Sequence, residues 1–308
     1  LVDGGNEKVR ILITGGAGYI GAILTSHLIN LGWDVTVLDN FRHGDPSLSH
    51  LCWSQSLGIV RGDARCVNDV GPLAQNADVI IPLAALVGVA ECERDTVAAE
   101  TTNLEAIQLL CDVAPARARI IFPNTNSGYG ISGEPICTEE SPLMPISLYG
   151  QTKCAAERYV LARGNCTVFR LATVFGMSPR MRWDLMVNNF VWRAVKERAM
   201  VIFEPEFRRN FIHVRDVARA FAWALDRQGA EVFNLGLDSA NLTKAKLAEL
   251  IGCTLPNFTY LCAQYATDPD KRDYFVSNEK IREAGFEPIW GLDRGIGELI
   301  KGAQQYAG

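Results

Sequence analysis

The stretch ILITGGAGYIG, residues 11–21, sets three glycines at three-residue spacing between an apolar run and a second run with helical periodicity. A buried parallel strand over residues 9–13, a turn carrying Gly15, Gly18 and Gly21, and a helix over residues 19–31 form the order that a dinucleotide pyrophosphate site requires. Gly15 allows the tight turn, Gly18 lets the backbone approach the phosphates, and Gly21 lets the helix pack closely on the sheet. Tyr19 and Ile20 at the helix start add free N–H groups, and the positive end of the helix dipole faces the anion. A glycine triplet alone also serves any sharp strand-to-helix turn, so a second signal is needed. It comes from residues 34–38, a strand-like run ending in Asp39, where a carboxylate accepts from the adenosine ribose hydroxyls and Asn40 follows. The same carboxylate repels a 2′-phosphate. NAD is therefore expected over NADP, with Arg42 keeping NADP open.

Strands and helices then alternate. The run 58–61 ends in Gly62-Asp63-Ala64; Asp63 is placed either to accept from the adenine amino group or to cap the following helix. Residues 77–85 read as a buried strand running into Leu83, Ala84 and Ala85, whose small size leaves room for a cofactor. A long helical segment over residues 94–113 carries Asn103, and the strand 119–122 opens into PNTNSGYG at 123–130. A further helix runs to about residue 163 and one strand covers 167–175. This alternation predicts an α/β fold, a doubly wound parallel sheet of the Rossmann type with a smaller C-terminal substrate-binding region. Residues 8–175 are expected to form the NAD-binding part, with a segment around 207–236 returning to it, and residues 176–308 the smaller, partly interleaved part. Ligands of such sheets sit outside the carboxyl ends of the strands, where the glycine loop, Asp39, Ala84 and Thr125 all fall.

The net charge of −5 argues against a broad nucleic-acid surface. No apolar run approaches membrane-spanning length, no secretory leader is recognised, and a cytoplasmic protein is expected. Nine cysteines without a C-x-x-C pair read as reduced, mostly buried thiols, and neither they nor the four histidines have ligand spacing, so no metal is expected.

Tyr149 and Lys153 are four residues apart at the start of a helix and so share one face. A tyrosine is a poor base at neutral pH, but an adjacent ammonium favours its phenolate, which can then take a proton from a sugar hydroxyl while hydride leaves the same carbon. Lys153 would also hold the nicotinamide ribose. His213 and Asp216 are read as bracing a turn and capping a helix, and Met177, Met181 and Met186 as core.

TGGAGYIG, Asp39, Gly62-Asp63, PLAA, Asn103, Thr125 followed by Tyr129-Gly130, YGQTK and RRNFIHVRD at 208–216 run over essentially the whole chain. Together they make it resemble an extended short-chain dehydrogenase/reductase of the NAD-dependent nucleotide-sugar epimerase/dehydratase group. PNTNSGYG and SPRMRWDLMVNNF are most similar to the GDP-heptose 4-dehydrogenase type within it. The resemblance implies that Thr125 shares the substrate hydrogen bond with Tyr149, that Arg209 and Arg272 face the nucleotide diphosphate, and that Asn189 contacts the nucleotide end. It also implies a homodimer packed through the helices around 94–113 and 149–163, and a GDP- or UDP-linked sugar as substrate. In 4,6-dehydratases of the group the catalytic threonine is followed by Asp and Glu. Here Asn126 and Ser127 stand there as substrate contacts, and neither titrates near neutral pH. A 4-epimerase or a 4-dehydrogenase, with NAD retained as NADH between half-reactions, is therefore expected ahead of a dehydratase. A regulator that binds NAD without catalysis is the alternative from another class, and the intact Thr125, Tyr149 and Lys153 set argues against it.

Overall fold

The computed structural model describes residues 9–44, 46–130, 133–263 and 274–306. Twelve strands are present among them: β1 (Arg10–Thr14), β2 (Asp34–Asp39), β3 (Leu57–Arg61), β4 (Val79–Pro82), β5 (Arg119–Thr125), β6 (Cys166–Leu171), β7 (Thr173–Phe175), β8 (Ala199–Phe203), β9 (Arg208–His213), β10 (Ala230–Leu235), β11 (Asn241–Thr243) and β12 (Thr259–Ala263). The main sheet has seven strands in the order β3-β2-β1-β4-β5-β6-β10, all parallel. The order reverses between β1 and β4, and this switch point opens a crevice at their carboxyl ends.

Side-chain alternation along β1 shows how both faces are covered. Ile11 and Ile13 enter one apolar layer with the helices Tyr19–Asn30 and Val214–Trp223, while Leu12 enters the opposite layer with Val70, Ala74, Ile80 and Leu110. A strand buried on both faces has no polar positions to alternate, which is why residues 11–13, 79–82 and 120–123 of β1, β4 and β5 read as unbroken apolar runs.

The chain departs from a single strand over 167–175. It leaves the main sheet after Leu171, and Thr173–Phe175 pairs instead with β9, in a three-stranded sheet ordered β11-β9-β7. Ala172 is the break, its N–H donating to Leu235 O at 2.9 Å. Beyond it a second core forms around Phe175, Val187, Val191, Phe211, Leu247 and Leu299, with Met177, Met181 and Met186 packed against it. β10 closes the edge of the main sheet, so the later chain is threaded back into the first half. The segment 94–113 is likewise not one regular helix. It divides into Thr96–Glu100, a π turn over Thr101–Glu105, and Ala106–Val113. Within that turn the Asn103 amide accepts from Leu86 N–H and donates to Leu86 O, both at 2.9 Å, and so fixes the loop after β4.

Of the nine cysteines, Cys92, Cys137, Cys154 and Cys166 are buried and Cys52, Cys253 and Cys262 are exposed, a lower buried share than expected. Among the described residues no helix is long and apolar enough to cross a membrane.

Candidate active site

At the end of β1, Gly15 adopts φ +75°, and a Cβ there would lie 2.5 Å from the backbone nitrogen of Ala84. The loop after β1 and the loop after β4 therefore touch backbone to backbone. Gly15→Ala is expected to cost at least about 2 kcal/mol of stability, combining a left-handed backbone with a clash that cannot relax through a side chain. It should also weaken NADH binding; thermal denaturation and a fluorescence titration measure the two effects. The helix Tyr19–Asn30 starts at Gly18 with no side-chain cap and no acidic residue in its first turn. Gly18 N–H donates to Gly15 O at 3.1 Å, and among the described residues no side chain caps the N–H groups that follow at the helix start. Asp39 accepts from Ala17 N–H at 2.9 Å and Phe41 N–H at 2.8 Å, which ties the glycine loop to the end of β2. A carboxylate has about four lone-pair sites, so capacity remains for ribose hydroxyls.

Two cavities meet at this loop. One, about 400 Å³, is lined by Gly15, Gly18, Asp39, Asn40, Asp63, Ala64 and the segment Leu83, Ala84, Ala85. The other, about 730 Å³, shares Gly15, Gly18, Leu83 and Ala85 and extends past Tyr19 and Ile20 to Thr125, Asn126, Ser127, Tyr149, Lys153, Asn189 and Arg209. An extended dinucleotide fits this pair, its adenosine in the first and its nicotinamide in the second, with the pyrophosphate at the shared glycines. Arg272 lies outside the described residues.

Some side chains take parts that local sequence does not display. Tyr19 turns its phenol to Gly176 O at 2.7 Å, while Ser178 Oγ donates to Tyr19 O at 2.7 Å. Tyr19 therefore braces the loop after β7, and burial pushes its phenol pKa up. Asp63 does not cap the next helix, whose N-terminal residue Cys66 has no side-chain cap. It holds Arg65 instead, and this bond lowers its carboxyl pKa. Arg42 is engaged with Glu91 at 3.4 Å. The His213 and Asp216 readings agree with the packing: His213 Nδ1 accepts from Arg215 N–H, and Asp216 accepts from Ile289 and Trp290 N–H.

Ser147 caps the helix Leu148–Ala162, accepting from Gly150 N–H at 3.2 Å, and so fixes the register that brings Tyr149 and Lys153 to the larger cavity. Lys153 is buried, with Nζ 4.1 Å above the Phe122 ring. Burial pushes its pKa down to about 7, against weaker opposing effects of Cys154 and Glu157. On the facing strand, Asn124 Oδ1 accepts from Thr125 N–H at 2.8 Å and its amide nitrogen donates to Glu157, which is itself paired with buried Arg170. Thr125 Oγ1 donates to Ser127 Oγ at 2.9 Å and accepts from Ser127 N–H at 3.1 Å.

Arg180, Arg182 and Asp184, in the stretch SPRMRWD that carried only the resemblance, also line the larger cavity and were not singled out from sequence. Arg182 grips Asp184 through two bonds of 2.7 and 2.6 Å. Burial opposes its charge, yet Asp184 and the nearby Tyr149 raise its pKa. Two arginines and an aspartate within five residues were the available signal.

Against known proteins, the model of the "NAD dependent epimerase/dehydratase family" matches residues 11–236. The chain belongs to this family. As members of it do, it uses NAD and acts as an enzyme on nucleotide sugars. UDP-glucuronic acid decarboxylase 1 of Arabidopsis thaliana is 28% identical over 96% of this chain and 70% of its own length. MoeE5, solved with UDP-glucose and NAD, superposes with a TM-score of 0.82 at 26% identity, covering 97% of this chain and 100% of that one. The UDP-glucose 4-epimerase of Thermotoga maritima, solved with UDP-glucose, superposes with a TM-score of 0.84 at 25% identity over 97% and 100% of the two chains. The family includes decarboxylases as well as epimerases, so membership fixes the cofactor and the substrate class and leaves the reaction to the site.

Proposed function

We propose that the protein oxidises C4 of a nucleotide-activated hexose by hydride transfer, as a 4-epimerase that returns hydride to the other face of the sugar or as a 4-dehydrogenase that releases the ketone. The observation that carries this reading is the wall of the larger cavity: Thr125, Tyr149 and Lys153 are present together, and the residues beside them, Asn126 and Ser127, are neutral. Bound NAD supplies the hydride acceptor. Tyr149 as phenolate takes the proton of O4 while the C4–H bond breaks and the C=O bond forms. Thr125 holds O4 in line, and Lys153 keeps the phenolate charge compensated. Arg209 binds the nucleotide diphosphate and Asn189 the nucleotide end, both from the lining of the same cavity. Expulsion of water across C5 and C6 would need an acid and a base, and an amide and a hydroxyl supply neither. A UDP-linked sugar is favoured by MoeE5 and the Thermotoga maritima epimerase, both solved with UDP-glucose.

Incubation with UDP-, GDP-, dTDP- and CDP-hexoses followed by mass measurement and sugar analysis tests this. Unchanged mass with inverted C4 is the epimerase result, and loss of two hydrogens is the dehydrogenase result. Loss of water would overturn the reading of Asn126 and Ser127.

A further inference from the structure

Asn126 stands apart from the polar residues around it. It is 2% exposed, and neither its Oδ1 nor its Nδ2 has a hydrogen-bond partner among the described residues. Its neighbours are satisfied within the protein: Asn124 by Thr125 N–H and Glu157, and Ser127 by Thr125. Asn126 opens the turn Asn126–Gly128 at the carboxyl end of β5 and lines the larger cavity beside Thr125 and Tyr149. Burying an amide with both ends unmet costs about 1–3 kcal/mol per group, so a fold that keeps one against a ligand cavity loses stability unless a ligand answers it.

We propose that Asn126 is a specificity-determining residue that binds the hydroxyl on C6 of the sugar, so that the substrate is a neutral hexose that bears a hydroxyl there. This rests on the C4-oxidation reading and names which sugars the same site takes. An amide presents one donor group and one acceptor, and a hydroxyl answers both because it donates and accepts. A carboxylate, as in a uronic acid, accepts from Nδ2 and leaves Oδ1 unmet. A methyl group or hydrogen leaves both unmet. Arg182, in the wall of the same cavity, is paired with both oxygens of Asp184, which compensates its charge. A site built to hydrogen-bond a hydroxyl rejects analogues that lack it more strongly than an apolar pocket rejects an extra group.

The test is calorimetric binding to the NAD-loaded protein of UDP-glucose, UDP-3-deoxyglucose, UDP-6-deoxyglucose and UDP-glucuronic acid, for the parent chain and for Asn126→Leu, a near-isostere without polar atoms. The parent is expected to bind UDP-glucose about tenfold or more tighter than UDP-glucuronic acid and UDP-6-deoxyglucose, and UDP-3-deoxyglucose within about threefold of UDP-glucose. In Asn126→Leu these preferences should shrink to within about threefold, and the melting temperature of the cofactor-free protein should hold or rise, because an apolar side chain leaves nothing unmet. A fall in that melting temperature would mean a structural amide. Preferences unchanged in Asn126→Leu, a parent indifferent to the 6-deoxy sugar, tighter binding of UDP-glucuronic acid, or no binding of any of the four sugars would each overturn the proposal. Mass analysis of the same mixtures reads the C4 reaction separately. Asn126-dependent binding without C4 chemistry would remove the proposed reaction and leave the subsite; C4 chemistry without Asn126-dependent preference would do the reverse.

Discussion

Tyr149→Phe is expected to lower kcat by about 10²- to 10⁴-fold while changing NADH affinity by no more than about threefold. The ring lines the larger cavity, whereas the glycine turn, Asp39 and the loop after β4 shape the adenosine side without it. Removing one oxygen takes away the group that receives the O4 proton and leaves the cofactor's other contacts in place. The loss therefore falls on the chemical step. Steady-state turnover of a UDP-hexose alongside NADH fluorescence titration measures both quantities. A variant with full turnover would remove Tyr149 from the reaction, and one that also lost NADH would recast it as a cofactor-positioning residue.

Lys153→Met should abolish measurable turnover and at the same time stabilise the cofactor-free protein by about 2–4 kcal/mol at neutral pH. The sign follows from burial. Desolvation lowers the lysine pKa from 10.5 in the unfolded chain to about 7 in the folded one. Between those values the unfolded chain binds a proton that the folded protein does not, so stability rises with pH across the window and the penalty is complete below about 7. The cation–π contact with Phe122 offsets only part of it. Chemical denaturation of the cofactor-free parent at pH 7 and pH 9 should show greater stability at pH 9, and Lys153→Met should flatten that difference. Equal slopes in the two proteins would place the titrating group elsewhere. A residue that costs the fold this much marks a position kept for function, since an apolar side chain would fill the same space above Phe122 without the desolvation penalty.

Parts of this molecule were legible because the information is local in the chain. Gly15, Gly18 and Gly21 act within one turn, Asp39 ends the strand beside it, and Tyr149 and Lys153 share a helix face by spacing alone. Every proposed site residue that lies among the described residues lines one of the two joined cavities. What escaped depends on pairings far apart in sequence. The break at Ala172 depends on β10, more than fifty residues later, taking its N–H. The part Tyr19 plays depends on Gly176 and Asn188. Of the two parts open to Asp63, the cap falls away because Arg65, two residues on, claims the carboxylate, and that pairing gives no periodic signal.

The order of strand, glycine turn and helix, the carboxylate at Asp39 and the tyrosine–lysine spacing determined by themselves that this chain builds an NAD crevice with Tyr149 and Lys153 in its wall, because each needs only neighbouring backbone geometry. Which polar groups in that crevice remain free for a substrate was decided only by the tertiary structure. Asn124, Asn126 and Ser127 are equally polar on paper. Contacts brought by Glu157 from another element, and by the turn itself, satisfy the first and the last and leave unmet the buried amide of Asn126, a residue of the cavity wall.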